Sequence, residues 1–139
     1  MKPLTPVVQQ DATGCGLAVI ATLTGQPYAQ IKARAAELAI HPEDKRIWSD
    51  TDYVYRLAAD QGLTLATTPT EFSDWDSLPD LAIMAIKWRL IEGVPFWHWV
   101  VFQRSKGEAY VLDSGIRLKH HRRRDLWRIQ PKWFIEVRS

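Results

Sequence analysis

The single cysteine of the chain, Cys15, lies between Gly14 and Gly16, where a polar loop changes into an apolar segment. The apolar run that starts at Cys15 and stops before Gly25 predicts a short buried helix with a C-terminal glycine cap. A cysteine at a helix N-terminus faces unpaired N–H groups and the positive end of the helix dipole, which favour thiolate over thiol. The flanking glycines would leave its sulfur open to a substrate. The position suits a nucleophile, and the alternative is a buried structural cysteine.

A nucleophilic cysteine needs a base, and only one of the four histidines lies inside a predicted strand. In the segment FWHWVVF, alternation puts His98 and Phe102 on one face and Trp97 and Trp99 on the other. A lone histidine among aromatic side chains is normally a core residue. His98 is therefore a candidate base only if an acidic side chain faces it.

The strand AYVLD supplies that acidic side chain. The sequence RSKG, which separates it from FWHWVVF, predicts a four-residue hairpin loop built around a type I turn. Centred on RSKG, the hairpin pairs Phe102 with Ala109 and His98 with Asp113. Opposed residues on one face have Cβ atoms about 4.5–5.5 Å apart, within reach of a hydrogen bond. We therefore expect Asp113 to orient His98, although an aspartate at this place can also simply begin the DSG turn.

The sequence resembles the papain-like cysteine peptidases and, within them, the double-glycine leader peptidases that form N-terminal domains of bacteriocin exporters. The matching features are Gln9 followed by five residues and then Cys15-Gly16, a buried helix ending in Leu-Thr-Gly, HWVVF with the histidine, and VLDSG with the aspartate. Weaker matches are DTDYVYRLAADQGL, LPDLAIMAIKW and WFIEV, so the resemblance covers nearly the whole chain. It implies a papain-like fold.

The resemblance also implies catalytic roles, position by position. Cys15 would be the nucleophile, His98 the base and later the acid, and Asp113 the residue that fixes the histidine tautomer. Gln9, selected by its spacing from Cys15, would donate a hydrogen bond to the oxyanion. These groups are what thiolate attack on a carbonyl and protonation of the leaving amine require.

Three residues near these groups are candidate substrate contacts. Gly14 adjoins the nucleophile and stands where the family usually has an acidic residue, so substrate contacts there are expected to differ from those of the family. Trp97 and Trp99 flank the candidate base, and together with Trp88 they are equally suited to a core and to a substrate groove.

The sequence thus predicts a thiol hydrolase that cleaves amide bonds of a peptide or protein substrate without a metal or organic cofactor. One alternative keeps the same triad for a glutamine deamidase or transamidase that acts on a side-chain amide. The other is a catalytically inactive peptide- or protein-binding module that uses the aromatic surface and the basic run LKHHRRR.

The elements that must position these residues form an α+β pattern. A second helix is predicted from the apolar stripe that runs from Tyr28 to Leu38, and a third from a capping box of Ser49 and Asp52, ending before Gly62. Five β-rich segments follow: LTLAT (63–67), LAIMAI (81–86), FWHWVVF (96–102), AYVLD (109–113) and WFIEV (133–137). Helices followed by strands predict N-terminal helices packed on a mostly antiparallel sheet.

Composition sets the class of protein. With 139 residues, 46% apolar and 24% charged, the chain is expected to form one domain over residues 1–139. Because the net charge is only +2, the basic run 118–124 is predicted to be a solvated turn in preference to a nucleic-acid site. Nucleic-acid binding is therefore not expected. The single cysteine and the lack of a signal-like or membrane-spanning apolar segment predict a cytoplasmic protein, with signal-independent secretion as the alternative. Oligomeric state is not indicated.

Overall fold

Three α-helices precede a seven-stranded antiparallel sheet in the computed structural model, which describes residues 2–138. The helices are α1 (Cys15–Thr24), α2 (Tyr28–Glu37) and α3 (Asp52–Asp60), with single 3-10 turns at Lys45–Ile47 and Leu126–Arg128. The strands are β1 (Thr64–Leu65), β2 (Thr70–Glu71), β3 (Leu81–Ile91), β4 (Val94–Ser105), β5 (Glu108–Leu112), β6 (Arg122–Arg123) and β7 (Pro131–Arg138). The predicted α+β class with a mostly antiparallel sheet is confirmed.

The helices follow the apolar pattern of the sequence. Helix α1 ends at Gly25, which adopts the left-handed conformation at φ 67° that glycine tolerates best, as predicted. Helix α2 buries Tyr28, Ile31 and Ala35 of its predicted stripe, while Leu38, the last residue of that stripe, follows the helix and is partly buried. Helices α2 and α3 both pack against α1, and α1 itself lies on β4.

The start of α3 differs from the prediction. The predicted capping box of Ser49 and Asp52 is wrong, because Thr51 is the residue that precedes the first helical turn. The backbone N–H of Asp52 instead donates to Oδ1 of Asp50 at 3.1 Å. An aspartate two residues upstream offers the same kind of acceptor as a capping serine, so the helix begins later than the sequence pattern indicated.

The strands lie in the order β1-β7-β3-β4-β5-β6, and β2 also pairs with β7. Every pairing is antiparallel. Each of the five predicted β-rich segments overlaps one strand of this sheet. Strands β2 and β6 were not predicted, since two residues are too few to produce an alternating pattern.

The hairpin of β3 and β4 is longer than predicted and contains a β-bulge. Its two-residue turn is Glu92-Gly93, with φ of 52° and 79°, as in the type I′ turns that suit such hairpins. Pairing of β3 with β7 stops at Ile86, so the outer part of this hairpin extends beyond the sheet. Between Ile86 and Arg89 the register with β4 shifts by one residue.

The hairpin of β4 and β5 corrects the predicted register. Ser105 pairs with Glu108, so the turn has two residues and not the predicted four. Phe102 accordingly pairs with Val111 and not with Ala109. A slip of two residues leaves every side chain on its predicted face, because strand side chains alternate with a period of two. His98 and Asp113 are therefore diagonal neighbours on one face, where the sequence had predicted a direct pair.

The two faces of the sheet belong to different apolar clusters. Trp99 and Val101 of β4 pack with the buried side chains of the helices. Val100 and Phe102 pack on the opposite face with residues of β3 and β5. This alternation is the predicted one. No helix within residues 2–138 is both long enough and apolar enough to cross a membrane.

Candidate active site

Cys15 is the first residue of α1 and is partly exposed. Two tyrosine hydroxyls lie against the glycines that flank it. A Cβ atom at Gly14 would lie 2.0 Å from the hydroxyl of Tyr28, and one at Gly16 would lie 2.2 Å from that of Tyr53. Both glycines are thus required by close packing, a reason that the sequence did not reveal. Gly14, a predicted substrate contact, is buried against Tyr28 and is not among the described residues that line the cavity beside Cys15.

His98 and Asp113 form the predicted hydrogen bond. The Nε2 atom of His98 lies 2.7 Å from Oδ1 of Asp113. Because an ionised carboxylate only accepts hydrogen bonds, Nε2 must carry the hydrogen, which fixes the tautomer. The other ring nitrogen, Nδ1, is then the one left for the thiol. The backbone N–H of Trp99, the next residue of β4, donates to Sγ of Cys15 at 3.5 Å, which places the sulfur beside this part of the strand.

Asp113 is held from several sides in a buried position, with 1% of its side chain exposed. The backbone N–H of Gly115 donates to Oδ1 at 3.0 Å, and Nη1 of Arg123 donates to Oδ2 at 3.1 Å. Burial alone would raise the pKa of Asp113, but its bonds to His98, Gly115 and Arg123 outweigh burial and lower the pKa to about 2. The carboxylate therefore stays charged over the physiological range.

His98 is shifted in the opposite direction. Burial would lower the pKa of this imidazole, but the hydrogen bond to Asp113 and the interaction with the Cys15 side chain outweigh burial and raise it to about 9. At neutral pH the ring is thus an imidazolium next to the sulfur. A neighbouring positive charge favours the thiolate form of a cysteine. Cys15, His98 and Asp113 are thus brought together as a chain of interacting groups.

The basic run contributes to this chain, which the sequence did not predict. Arg122 and Arg123 form strand β6, which pairs with β5, and both are half-buried. Arg123 bonds both Asp113 and Asp125, and the ring of His121 bonds the backbone oxygen of Asp113 at 2.7 Å. The prediction of a solvated turn is therefore wrong for this part of the run. The short strand brings these side chains against the residue that follows β5.

Gln9 lies in a different environment from the one predicted. Its side chain is buried, and Nε2 donates to the backbone oxygens of Asp11 and Ala12 at 2.9 and 3.0 Å. Its Oε1 accepts from the hydroxyl of Ser114 at 2.8 Å. Both amide hydrogens are thus used to hold the loop before α1. Gln9 is not among the described residues lining the cavity, and its role as oxyanion donor stays a prediction.

A cavity of about 480 Å³ opens beside Cys15 and His98. Aromatic side chains form much of its wall: Trp48, Tyr53, Phe96, Trp97 and Trp99. The predicted contacts Trp97 and Trp99 both line it, and each packs edge-on against Trp133. Trp88 lies outside the lining and is stacked under Nζ of Lys132 instead. The volume and the apolar wall are typical of ligand-binding clefts.

Tyr53 joins the site from α3 and was missed by the sequence analysis. Its buried hydroxyl contacts the backbone at Gly16, and it hydrogen bonds the side chain of Trp99. Burial, followed by the charge of Cys15, raises the pKa of Tyr53 well above its ordinary value, so the phenol remains neutral. Only its place in the predicted third helix was visible in the sequence, and that place gave no sign of contact with Cys15.

Comparison with family models and with curated proteins found no match for this chain. Within residues 2–138, no group of three or more histidine, cysteine, aspartate or glutamate side chains is placed to hold a metal ion.

Proposed function

We propose that the protein is a thiol hydrolase of the papain-like superfamily that cleaves amide bonds in peptide or protein substrates. The observation that carries the proposal is the placement of Cys15, at the start of α1, in one cavity with His98, which is in turn bonded to the buried Asp113. This order of nucleophile, base and orienting carboxylate defines triad chemistry independently of fold. The spacing of Gln9, Cys15, His98 and Asp113 resembles that of the double-glycine leader peptidases.

In the proposed reaction, the Cys15 sulfur attacks the substrate carbonyl carbon while His98 holds the proton. The imidazolium then gives that proton to the leaving amine as the C–N bond breaks, which leaves a thioester on Cys15. Water, activated by the neutral imidazole, hydrolyses the thioester and restores the thiol. Asp113 keeps the ring oriented and stabilises its charged form throughout.

The oxyanion of the tetrahedral intermediate needs hydrogen-bond donors. The N–H groups in the first turn of α1 have no acceptor within the helix, and they lie at its positive end. The N–H of Cys15 is therefore available without rearrangement. In contrast, Gln9 would have to release Asp11 or Ala12 before it could donate.

The test begins with Cys15 itself. Iodoacetamide should alkylate Cys15 in the folded protein at pH 7 faster than it alkylates free cysteine, whose thiol has a pKa of about 8.5. His98→Ala should slow the reaction, because the imidazolium beside the sulfur is lost. A thiol that reacts only after unfolding, or equally fast in both proteins, would refute the proposal.

A second experiment identifies the bond that is broken. Bacterial extracts are incubated with the protein or with Cys15→Ala, and the modified proteins are examined by mass spectrometry. Peptide cleavage predicts new chain termini that depend on Cys15. If intact chains instead carry new glutamates that depend on Cys15, the reaction is side-chain deamidation and not peptide cleavage. The thiol mechanism would then still hold.

A further inference from the structure

The cavity contains two cations that the proposed mechanism does not use. Lys87 and Arg89, both on β3 and both exposed, line it together with Cys15 and His98. Neither side chain forms an ion pair with any residue in the described part of the chain. Nη1 of Arg89 donates to the backbone oxygen of Lys87 at 3.0 Å, so the two residues are held together.

The β-bulge brings one of these cations to the face of His98. Ile86 pairs with His98, and without a shift Arg89 would come opposite Pro95, which lies on the other face. Because the bulge adds one residue to β3, Arg89 pairs with Phe96, which shares the face of His98. Lys87, inside the bulge, adopts φ 55°, a conformation that residues with side chains rarely occupy. Bulges next to active sites commonly redirect side chains in this way.

The charged side chains that line the cavity in the described part of the chain, Lys87, Arg89 and His98, are all basic. None of the described lining residues is an aspartate or a glutamate. Asp113 is paired with His98 and Arg123, and Asp125 is paired with Arg123. Cations set among aromatic walls attract anions more strongly than cations in open water, because the walls keep solvent and counter-ions away.

The shape of the cavity indicates what kind of anion it takes. Its volume of about 480 Å³ exceeds what one side chain needs, and its aromatic wall offers apolar contact next to the two cations. The cations lie on the outer part of the β3–β4 hairpin, which extends beyond the sheet. A polypeptide segment lying along this hairpin could place its carboxylates on the cations while its backbone reaches Cys15.

We propose that the cavity selects acidic polypeptide segments, and that Lys87 and Arg89 bind their side-chain carboxylates next to the scissile amide. This inference rests on the proposed function and names its substrate class. Lys87 and Arg89 determine specificity and take no part in the bond-breaking steps.

The test compares two alkylating reagents of nearly equal size, iodoacetate and iodoacetamide, which differ in charge. In both reactions the sulfur of Cys15 bonds the methylene carbon and iodide leaves. We expect the ratio of the iodoacetate rate to the iodoacetamide rate to fall by about tenfold in Lys87→Gln/Arg89→Gln, the lower end of the enhancement that charged clefts produce. The control is Arg117→Gln/Lys119→Gln, which removes the same charge from two exposed residues elsewhere.

The ratio in the unmodified protein should also fall as salt rises, since counter-ions screen exposed cations. This measurement needs no variant, so it remains informative even if Lys87→Gln/Arg89→Gln disturbs the β-bulge. If Cys15 reacts with neither reagent, the proposed function fails and this inference fails with it. If it reacts with both, but the ratio responds neither to the double substitution nor to salt, the anion site alone is refuted.

Peptides then distinguish the source of the carboxylate. Three peptides of equal length are tested for protecting Cys15 from iodoacetamide: one with glutamates and blocked ends, one with glutamines and blocked ends, and one with glutamines and a free C-terminus. We expect only the glutamate peptide to protect, and the protection should weaken in Lys87→Gln/Arg89→Gln. Equal protection by the two blocked peptides, or protection by the free C-terminus alone, would overturn the proposal.

Discussion

The imidazole of His98 is held between a buried carboxylate and a sulfur, and this arrangement decides its protonation. Its bond to Asp113 and its interaction with Cys15 raise its pKa to about 9 against the opposing effect of burial. A histidine in this state is mainly an acid at neutral pH, as protonation of the leaving amine in the proposed reaction requires. In that reaction the ring would act as a base only after Cys15 has been acylated.

The first prediction concerns this titration. The ring signals of His98, followed by NMR across pH, should show a midpoint near 9 in the unmodified protein. Asp113→Asn should lower the midpoint, because the carboxylate that stabilises the imidazolium is lost. Asp125→Asn is the matched control, since Asp125 bonds Arg123 and does not bond His98. A midpoint that is the same in all three proteins would contradict the assignment of Asp113 as the partner that stabilises the His98 imidazolium.

The second prediction concerns the packing beside the nucleophile. Gly14→Ala should destabilise the fold by about 1–3 kcal/mol, as overpacked sites do, because its Cβ would lie 2.0 Å from the Tyr28 hydroxyl. In a Tyr28→Phe background the cost should shrink, since the nearest remaining ring atom is Cζ at 3.0 Å. Urea unfolding of the four proteins of this cycle measures the coupling. Simple additivity would show that the hydroxyl does not exclude a side chain at this position.

At the scale of elements, the two-residue strand β6 has a greater effect on the site than its length suggests. By pairing with β5 it holds Arg123 against Asp113 and occupies the outer edge of the sheet. Without Arg123, Oδ2 of a carboxylate that is almost fully buried would lose its charged partner. Arg123 is therefore a positioning residue that acts through Asp113.

The third prediction tests that role. Arg123→Gln should destabilise the protein by about 2 kcal/mol at pH 7, as expected when a buried charge loses its partner. It should also raise the pKa of Asp113 towards its ordinary value, so the stability that this carboxyl loses on acidification should be smaller, and the loss should be complete at a higher pH than in the unmodified protein. Urea unfolding between pH 3 and 7 measures both effects. Arg124→Gln removes an exposed arginine that pairs with Glu108, and it should leave the dependence of stability on pH between 3 and 7 unchanged.

Elements whose signal is local were predictable from the sequence, and contacts between distant segments were not. Helix α1 was predictable because its apolar run and Gly25 are adjacent in the chain. The shared face of His98 and Asp113 was predictable because strand alternation survives a slip of two residues. The slip itself was not, since RSKG allows either a two- or a four-residue loop. Arg123 and Tyr53 reach the site only through tertiary contacts that no local pattern encodes.

At the scale of the whole molecule, the N-terminal segment links the two halves of the site. The backbone N–H of Gln9 donates to the oxygen of Ser114 at 3.1 Å, and their side chains also bond. Nearer the N-terminus, the backbone N–H of Leu4 donates to the side chain of Gln103 at 2.9 Å. The loop before Cys15 is thus fastened directly to the residue after Asp113. This connection ties the segment that leads into Cys15 to the segment that carries Asp113.

The fourth prediction is the pH dependence of overall stability. Because the pKa of His98 is higher in the folded state than its ordinary value of 6.5, the folded protein binds the proton more tightly than the unfolded chain does. This difference stabilises the fold, and its full contribution to stability is present below pH about 6.5. It should be lost as pH rises through about 9, with a magnitude of about 3 kcal/mol, since one pKa unit corresponds to about 1.4 kcal/mol. Urea unfolding at pH 6 and pH 10 measures the change. In His98→Gln, whose side chain cannot titrate, the difference in stability between pH 6 and pH 10 should be smaller. If the difference is as large as in the unmodified protein, other groups cause the loss of stability.

The trio of Trp97, Trp99 and Trp133 gives the site an optical property. Their ring centroids lie 5.1 to 5.9 Å apart, and the ring planes cross at steep angles of 69° to 79°. Indole chromophores at such distances and angles couple their electronic transitions, which produces a paired positive and negative band in circular dichroism. Since Trp97 and Trp99 also line the cavity and Trp99 bonds the Cys15 sulfur, any occupant that tilts one ring changes that band pair. The protein therefore carries its own label-free reporter of what enters the cleft.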